Sequence, residues 1–156
     1  MPASKPRWRL GLVVAQFNAE ITTLMRDDAR ARARDLGATI VAEAEVSGSY
    51  DLPFVAQALA ARRDVDAVVA LGAIVTGETK HDDLIAHACA EGLMRVALQS
   101  GKPVGLGVTG PGQTYAQAQA RIDRGGAAVE AAVRQLEAAA TLRASGKRPR
   151  SRRARD

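Results

Sequence analysis

The stretch VDAVVALGAIVTGETKHDDLIAHACAEGLMRVALQS, Val65–Ser100, decides the fold. Its opening run, Val65–Leu71, is apolar apart from Asp66, which is the reading of a strand buried on both faces and not of an alternating, half-solvated one. A polar, glycine-containing break at Thr76–His81 follows, and then a helix over Asp82–Ser100. A buried strand, a loop and a helix form half of a parallel crossover unit.

Working outward, the same unit recurs. Leu10–Ala15 (LGLVVA) is a second buried run that ends at Gln16-Phe17-Asn18, and Ile21, Leu24, Met25, Ala29, Ala33 and Leu36 recur at helical spacing until Gly37. Thr39–Val46 favours a strand and Ser47-Gly48-Ser49 breaks it. Asp51 is placed to cap a helix that starts at Leu52-Pro53 and runs to about Arg62. Pro103–Val108 supplies a fourth strand, and an alanine-rich helix is expected over Thr114–Leu142. Strands alternating with helices specify an α/β, flavodoxin-like three-layer sandwich: a four-stranded parallel sheet with helices on both faces. Reactive groups in such sheets gather at the carboxyl ends of the strands, here Gln16–Asn18, Ser47–Asp51, Ala73–His81 and Thr109 onward.

The 156 residues, 47% of them hydrophobic, suffice for one core. The expected organisation is a flexible N-terminal segment over 1–9, one domain over 10–142 and a basic disordered tail over 143–156. No apolar run is long enough to span a membrane, and no signal-type hydrophobic region follows the basic, polar Met1–Arg9, so a cytoplasmic location is expected. Cys89 is the lone cysteine and reads as helix packing. The net charge of +5 belongs to the tail: seven bases lie between Arg143 and Arg155, which leaves fifteen bases against sixteen acids before Arg143. The pI of about 10.0 is therefore no argument for a nucleic-acid-binding domain.

Gly105-Leu106-Gly107-Val108-Thr109-Gly110 spells a dinucleotide-binding pattern, but its glycines fall inside the fourth strand and no further unit follows to supply a ribose-binding acid. Those glycines read instead as positions where something approaches the sheet closely. Gly77-Glu78-Thr79-Lys80-His81 opens a helix, so its unpaired N–H groups and positive dipole end suit a small phosphate; an ordinary capped helix, with Thr79 as cap and Asp82 and Asp83 on the dipole, reads equally well. His81 at this junction is suited to proton transfer near neutral pH, with a surface histidine as the alternative. His87, six residues on, does not match helical metal-ligand spacing, and no serine elbow, Walker sequence or cysteine pair occurs.

With those residues placed, the chain resembles lumazine synthase, its archaeal-type members in particular, over about Leu10–Leu136. Phe17-Asn18 with Ile21-Thr22, Gly48-Ser49-Tyr50-Asp51-Leu52-Pro53, Asp66–Gly72, Gly77-Glu78-Thr79-Lys80-His81-Asp82-Asp83 and Gln117–Arg121 arrive in the family's order. The resemblance implies condensation of 5-amino-6-(D-ribitylamino)uracil with 3,4-dihydroxy-2-butanone 4-phosphate to 6,7-dimethyl-8-ribityllumazine, phosphate and water. It implies a transferase of riboflavin biosynthesis with no metal, cofactor or covalent nucleophile. It also implies that Phe17 stacks on the pyrimidine and that Asn18, Gly48, Ser49, Tyr50 and Asp51 line its pocket. Ile74 and Val75 would contact the ring edge, and His81 would move protons. Gly77, Glu78, Thr79 and Arg121 would hold phosphate, with Leu106 and Arg121 facing a neighbouring subunit's site in a pentamer or an icosahedral assembly of pentamers.

Ser47 stands where the commoner family pattern has proline, Asp51 glutamate, Thr76 arginine, Lys80 often threonine and Leu106 an aromatic residue. The alternatives are archaeal-type riboflavin synthase of the same fold, which residues 77–81 discriminate against, and a non-catalytic shell. For the tail, a mobile solubilising extension competes with binding of RNA or another polyanion.

Overall fold

The computed structural model describes residues 7–146. Its four strands, β1 (Arg9–Ala15), β2 (Thr39–Val46), β3 (Ala67–Ala73) and β4 (Val104–Thr109), are all parallel and lie in the order β2-β1-β3-β4. The helices are α1 (Ala19–Asp35), α2 (Leu52–Ala60), α3 (His81–Ser100), α4 (Tyr115–Gln119) and α5 (Arg124–Ser145), with a 3-10 turn at Ser49–Asp51. The expected flavodoxin-like sandwich is the fold of the chain.

Strand periodicity sorts the core into two layers. Leu10, Leu12 and Val14 of β1 and Ala67, Val69, Leu71 and Ala73 of β3 pack against α1 and α5, while Val13 and Ala15 of β1 and Val68 and Ala70 of β3 pack against α2 and α3. Both faces of β3 are buried, which is why its sequence runs apolar without alternation. Cys89 lies in the second layer, and burial pushes its thiol up to about 11, so it packs and is not nucleophilic at neutral pH.

The glycines of β4 answer to close packing by α5 and by β3. A Cβ at Gly105 would sit 2.3 Å from the Ala128 carbonyl oxygen, and one at Gly107 would sit 2.4 Å from Leu71 Cδ2. What approaches the sheet at Gly105 is α5, whereas Gly107 is crowded first by Leu71 of the neighbouring strand and also by Ala128 of α5, at 3.1 Å.

Two boundaries differ from expectation. The third strand runs two residues later than Val65–Leu71, because Asp66 is spent on joining strand ends, accepting from the Arg9 backbone N–H at 2.8 Å, and because pairing with β4 continues to Ala73↔Thr109. The single helix expected over Thr114–Leu142 is two helices. Thr114 and Gln117 form a reciprocal cap on α4, a turn over Ala120–Asp123 follows, and α5 restarts against α1. There the Gly126 N–H donates to Asp28 Oδ2 at 2.8 Å, and a Cβ at Gly125 would lie 2.1 Å from the Met25 carbonyl oxygen. The alanine-rich composition continues across this break, and the contact with α1 sets it.

Trp8 packs on the first core layer and Arg9 opens β1, so these two residues of the expected 1–9 segment belong to the domain. Likewise α5 continues to Ser145, past the expected start of the tail at Arg143. The remainder of both expected extensions, 1–6 and 147–156, lies outside the described residues. No helix of the described chain is long and apolar enough to cross a membrane.

Candidate active site

The loops after β1, β2 and β3 enclose a cavity of about 290 Å³. It is lined by Phe17 and Asn18, by Gly48–Asp51, by Ala73–Val75, and by Gly77, Thr79, His81, Asp82 and Ile85.

The β1 loop is fixed from both sides. Asn18 adopts the left-handed conformation (φ 61°), which asparagine tolerates better than most side chains. Its carbonyl receives the first N–H groups of α1, from Ile21 and Thr22, and its side-chain amide donates to the Ala73 carbonyl at 2.8 Å, tying the loop to the end of β3. The Gln16 and Phe17 N–H groups donate to Val46 and Ser47 carbonyls at 2.8 and 2.9 Å, extending the sheet pairing into the loops. Phe17 is thereby held over Gly48, where a Cβ would lie 2.8 Å from the ring. The ring is 66% exposed, an apolar face open to the cavity mouth.

In the β2 loop the Gly48 N–H donates to Asp51 Oδ2 at 3.0 Å, and the Asp51 N–H returns to the Gly48 carbonyl at 3.0 Å. Asp51 therefore holds its own turn closed, and it does not cap α2 with its side chain as its position before Leu52-Pro53 suggests. Ser49 is buried beneath the sheet end, where a Cβ on Gly72 would meet its hydroxyl at 2.6 Å. Tyr50 stands exposed at the rim.

In the β3 loop, His81 is exposed at the first position of α3, and its N–H donates to Thr79 Oγ1 at 3.3 Å. The following residue carries more of the architecture than the sequence suggests. Asp82 is buried, and its Oδ2 accepts from Thr76 Oγ1 at 3.3 Å and from the Gly112 N–H at 3.1 Å. These bonds, that of Gly112 first, hold its carboxyl below the usual carboxylate range. The sequence suggests only a charge complementing the helix dipole at Asp82.

Behind the cavity, Gln113 is fully buried. Its amide donates to the Ile74 carbonyl at 3.1 Å and to Thr109 Oγ1 at 2.9 Å, its Oε1 accepts from Arg121 Nη1 at 2.9 Å, and its backbone carbonyl accepts from the Thr76 N–H at 2.9 Å. Every polar group of the side chain is thus used. Sequence reasoning had no signal for Gln113, since a lone glutamine in a glycine-rich loop looks like solvated surface.

Of the residues expected at the site, Phe17, Asn18, Gly48, Ser49, Tyr50, Asp51, Ile74, Val75, Gly77, Thr79 and His81 line one cavity. Glu78 is on the same loop but does not line it. Leu106, 54% exposed, lines a separate cleft of about 150 Å³ with Ala86, His87, Ala90, Val108, Gly110 and Pro111. Arg121 lines neither of these and is exposed on the turn after α4, anchored to Gln113. The cavity combines an apolar shelf, backbone N–H groups at a helix start and an imidazole, a set suited to holding a planar heterocycle beside an anion.

Residues 7–142 match the family model described as 6,7-dimethyl-8-ribityllumazine synthase. The chain is 52% identical to the 6,7-dimethyl-8-ribityllumazine synthase of Halorubrum lacusprofundi over 124 residues, which are 80% of this chain and 92% of that protein. It is 47% identical to the protein of the same name from Staphylothermus marinus over 135 residues (86% and 90% of the two chains). With that of Methanocaldococcus jannaschii it shares 45% identity over 128 residues (82% and 91%).

Proposed function

The chain belongs to the 6,7-dimethyl-8-ribityllumazine synthase family, and from that premise we propose that the cavity between the first three strand loops is where its reaction takes place. The chain is an enzyme of riboflavin biosynthesis that joins 5-amino-6-(D-ribitylamino)uracil to 3,4-dihydroxy-2-butanone 4-phosphate, forming 6,7-dimethyl-8-ribityllumazine. The observation that carries the site assignment is the convergence of Phe17, Tyr50, Thr79 and His81 on one cavity from three separate loops.

In this reading the pyrimidine lies on the Phe17 ring, with Asn18 and Gly48–Asp51 around its polar edge and ribityl chain, and with Ile74 and Val75 against the ring edge. The amine adds to the ketone carbonyl and water leaves to give an imine. Elimination of phosphate then leaves, after a proton shift, a carbonyl; the ribitylamino nitrogen adds to it and a second water leaves as the ring closes. Each step needs a proton moved at a fixed point, and His81, at the mouth of the same cavity, is the group that takes and returns it. Much of the acceleration comes from holding the two reactants in register. The phosphate is received by the N–H groups of Gly77, Glu78 and Thr79 at the start of α3.

Leu106 and Arg121 complete the site of an adjacent subunit. Their position away from this chain's own cavity supports that reading, as do the exposed apolar side chains Phe54, Leu84, Met94 and Leu98 on α2 and α3. The assembly is a pentamer or pentamers packed into an icosahedral shell, the site works only between subunits, and the reaction is cytoplasmic.

The test is direct. Purified protein mixed with the two substrates is expected to develop lumazine absorbance, and absence of product from a properly assembled sample would sink the reading.

A further inference from the structure

The geometry points to Asp82 as a positioning residue for phosphate recognition: its carboxylate clasps the β3 loop to the turn after β4, and so sets the opening of the anion cradle. The inference rests on the proposed binding of phosphate at Gly77–Thr79. Asp82 follows His81 directly and lines the same cavity. One oxygen, Oδ2, receives both Thr76 Oγ1, at the start of the cradle loop, and the Gly112 N–H, on the far side of the gap. A second tie runs parallel, from the Thr76 N–H to the Gln113 carbonyl at 2.9 Å. Gln113 in turn holds the Ile74 carbonyl and Arg121.

The cradle between these ties has few other restraints. A Cβ at Gly77 would meet nothing within 4 Å, and residues 77–81 are exposed. On the facing turn, Gly112 is in the left-handed region (φ 73°) with open space around it. The Asp82 carboxylate therefore links two glycine-rich segments that have little packing of their own. A loop already held in its binding geometry loses less entropy when an anion arrives. Removing the clasp should accordingly weaken capture of the phosphorylated ketone and leave the pyrimidine shelf, built from the β1 and β2 loops, unchanged.

The experiment compares the assembled wild type with Asp82→Ala, Asp82→Asn and Thr76→Val. It reads both KM values, inhibition by inorganic phosphate, and amide hydrogen exchange at Gly112 and Gly77–Thr79. The expected result for Asp82→Ala is a rise of about tenfold in KM for the ketone phosphate, with the pyrimidine KM within about twofold of wild type. Weaker phosphate inhibition and faster exchange at Gly112 should accompany it. Asn keeps an acceptor oxygen in place and should restore most of the loss; Val at position 76 removes one donor and should cost about threefold.

Equal rises in both KM values, or no change in either, would overturn the clasp while wild-type turnover keeps the functional reading. If the wild type makes no lumazine, that reading fails and hydrogen exchange decides the clasp. Unaltered protection of the two segments in Asp82→Ala overturns it, and lost protection sustains it. Should Asp82→Ala fail to assemble, Asp82→Asn and Thr76→Val carry the comparison, and an unchanged ketone KM in Thr76→Val overturns the proposal.

Discussion

The two ends of the sheet are held together by different chemistry. At the carboxyl ends of the strands, side chains bond to backbone across loops: Asn18 to Ala73, Asp51 to Gly48, Asp82 to Gly112, and Gln113 to Ile74. At the opposite end the ties are mostly charged and exposed, among them Arg62 with Asp64 at 2.8 Å and Arg9 with Asp66 at 3.2 Å. Exposed ion pairs are screened and lose side-chain entropy to keep their geometry, so they add little; bonds that satisfy a partly buried carbonyl or N–H are costly to leave unmade. The end that carries the cavity is thus the end where single polar residues matter most.

The largest effect that would sharpen this contrast is expected at Gln113. Gln113→Ala strands the Ile74 carbonyl and Thr109 Oγ1, frees Arg121 and opens a void, for a loss of about 3 kcal/mol of stability in urea unfolding. A loss no greater than that of a surface variant would break the comparison. His81→Ala comes next, with kcat reduced about 10²-fold in steady-state assays and an unchanged melting temperature, since its side chain is exposed. Complete loss of turnover would mean that positioning contributes less than supposed.

Gly48→Ala should displace the Phe17 ring, which the added methyl would otherwise touch at 2.8 Å. Because that ring is exposed and free to swing, the expected result is about a fivefold rise in the pyrimidine KM and little change in melting temperature. Smallest of all, Arg62→Ala at the far end should leave both KM values unchanged and move the melting temperature by no more than about 2 °C.

Acid tests the same contrast from another side. Asp82 is held below the usual carboxylate range chiefly by the Gly112 N–H, and Glu43 by its hydrogen bond with Arg30. A depressed carboxyl stabilises the folded chain above its unfolded pKa, and that stability is lost as pH falls through the folded value. Urea midpoints should therefore be insensitive to these two groups above about pH 5 and decline below about pH 4. Asp82→Asn should flatten part of the decline.

The layered fold was legible because burial on both faces imposes apolar runs, and a helix between such runs imposes a crossover. Most of the cavity was legible too, through the ends of β1, β2 and β3, whose loop sequences carry the family resemblance; the fourth expected loop, from Thr109 onward, does not line it. What escaped the sequence were groups whose roles depend on distant partners. Asp82 reads as a dipole-complementing acid until Gly112 is seen opposite it, and Gln113 reads as surface until its four partners surround it. The break between α4 and α5 escaped for the same reason, since it is set by Met25 and Asp28 on another helix.

The sequence alone determined the four strands, the covering helices apart from the break between α4 and α5, and the loops on which chemistry could lie, because periodicity is a local property. Only the tertiary structure decided which loops share a cavity, which polar side chains hold them there, and that Leu106 and Arg121 lie outside it. A hydrogen bond between residues thirty positions apart leaves no pattern in the residues between them; it exists only once packing has brought donor and acceptor within reach.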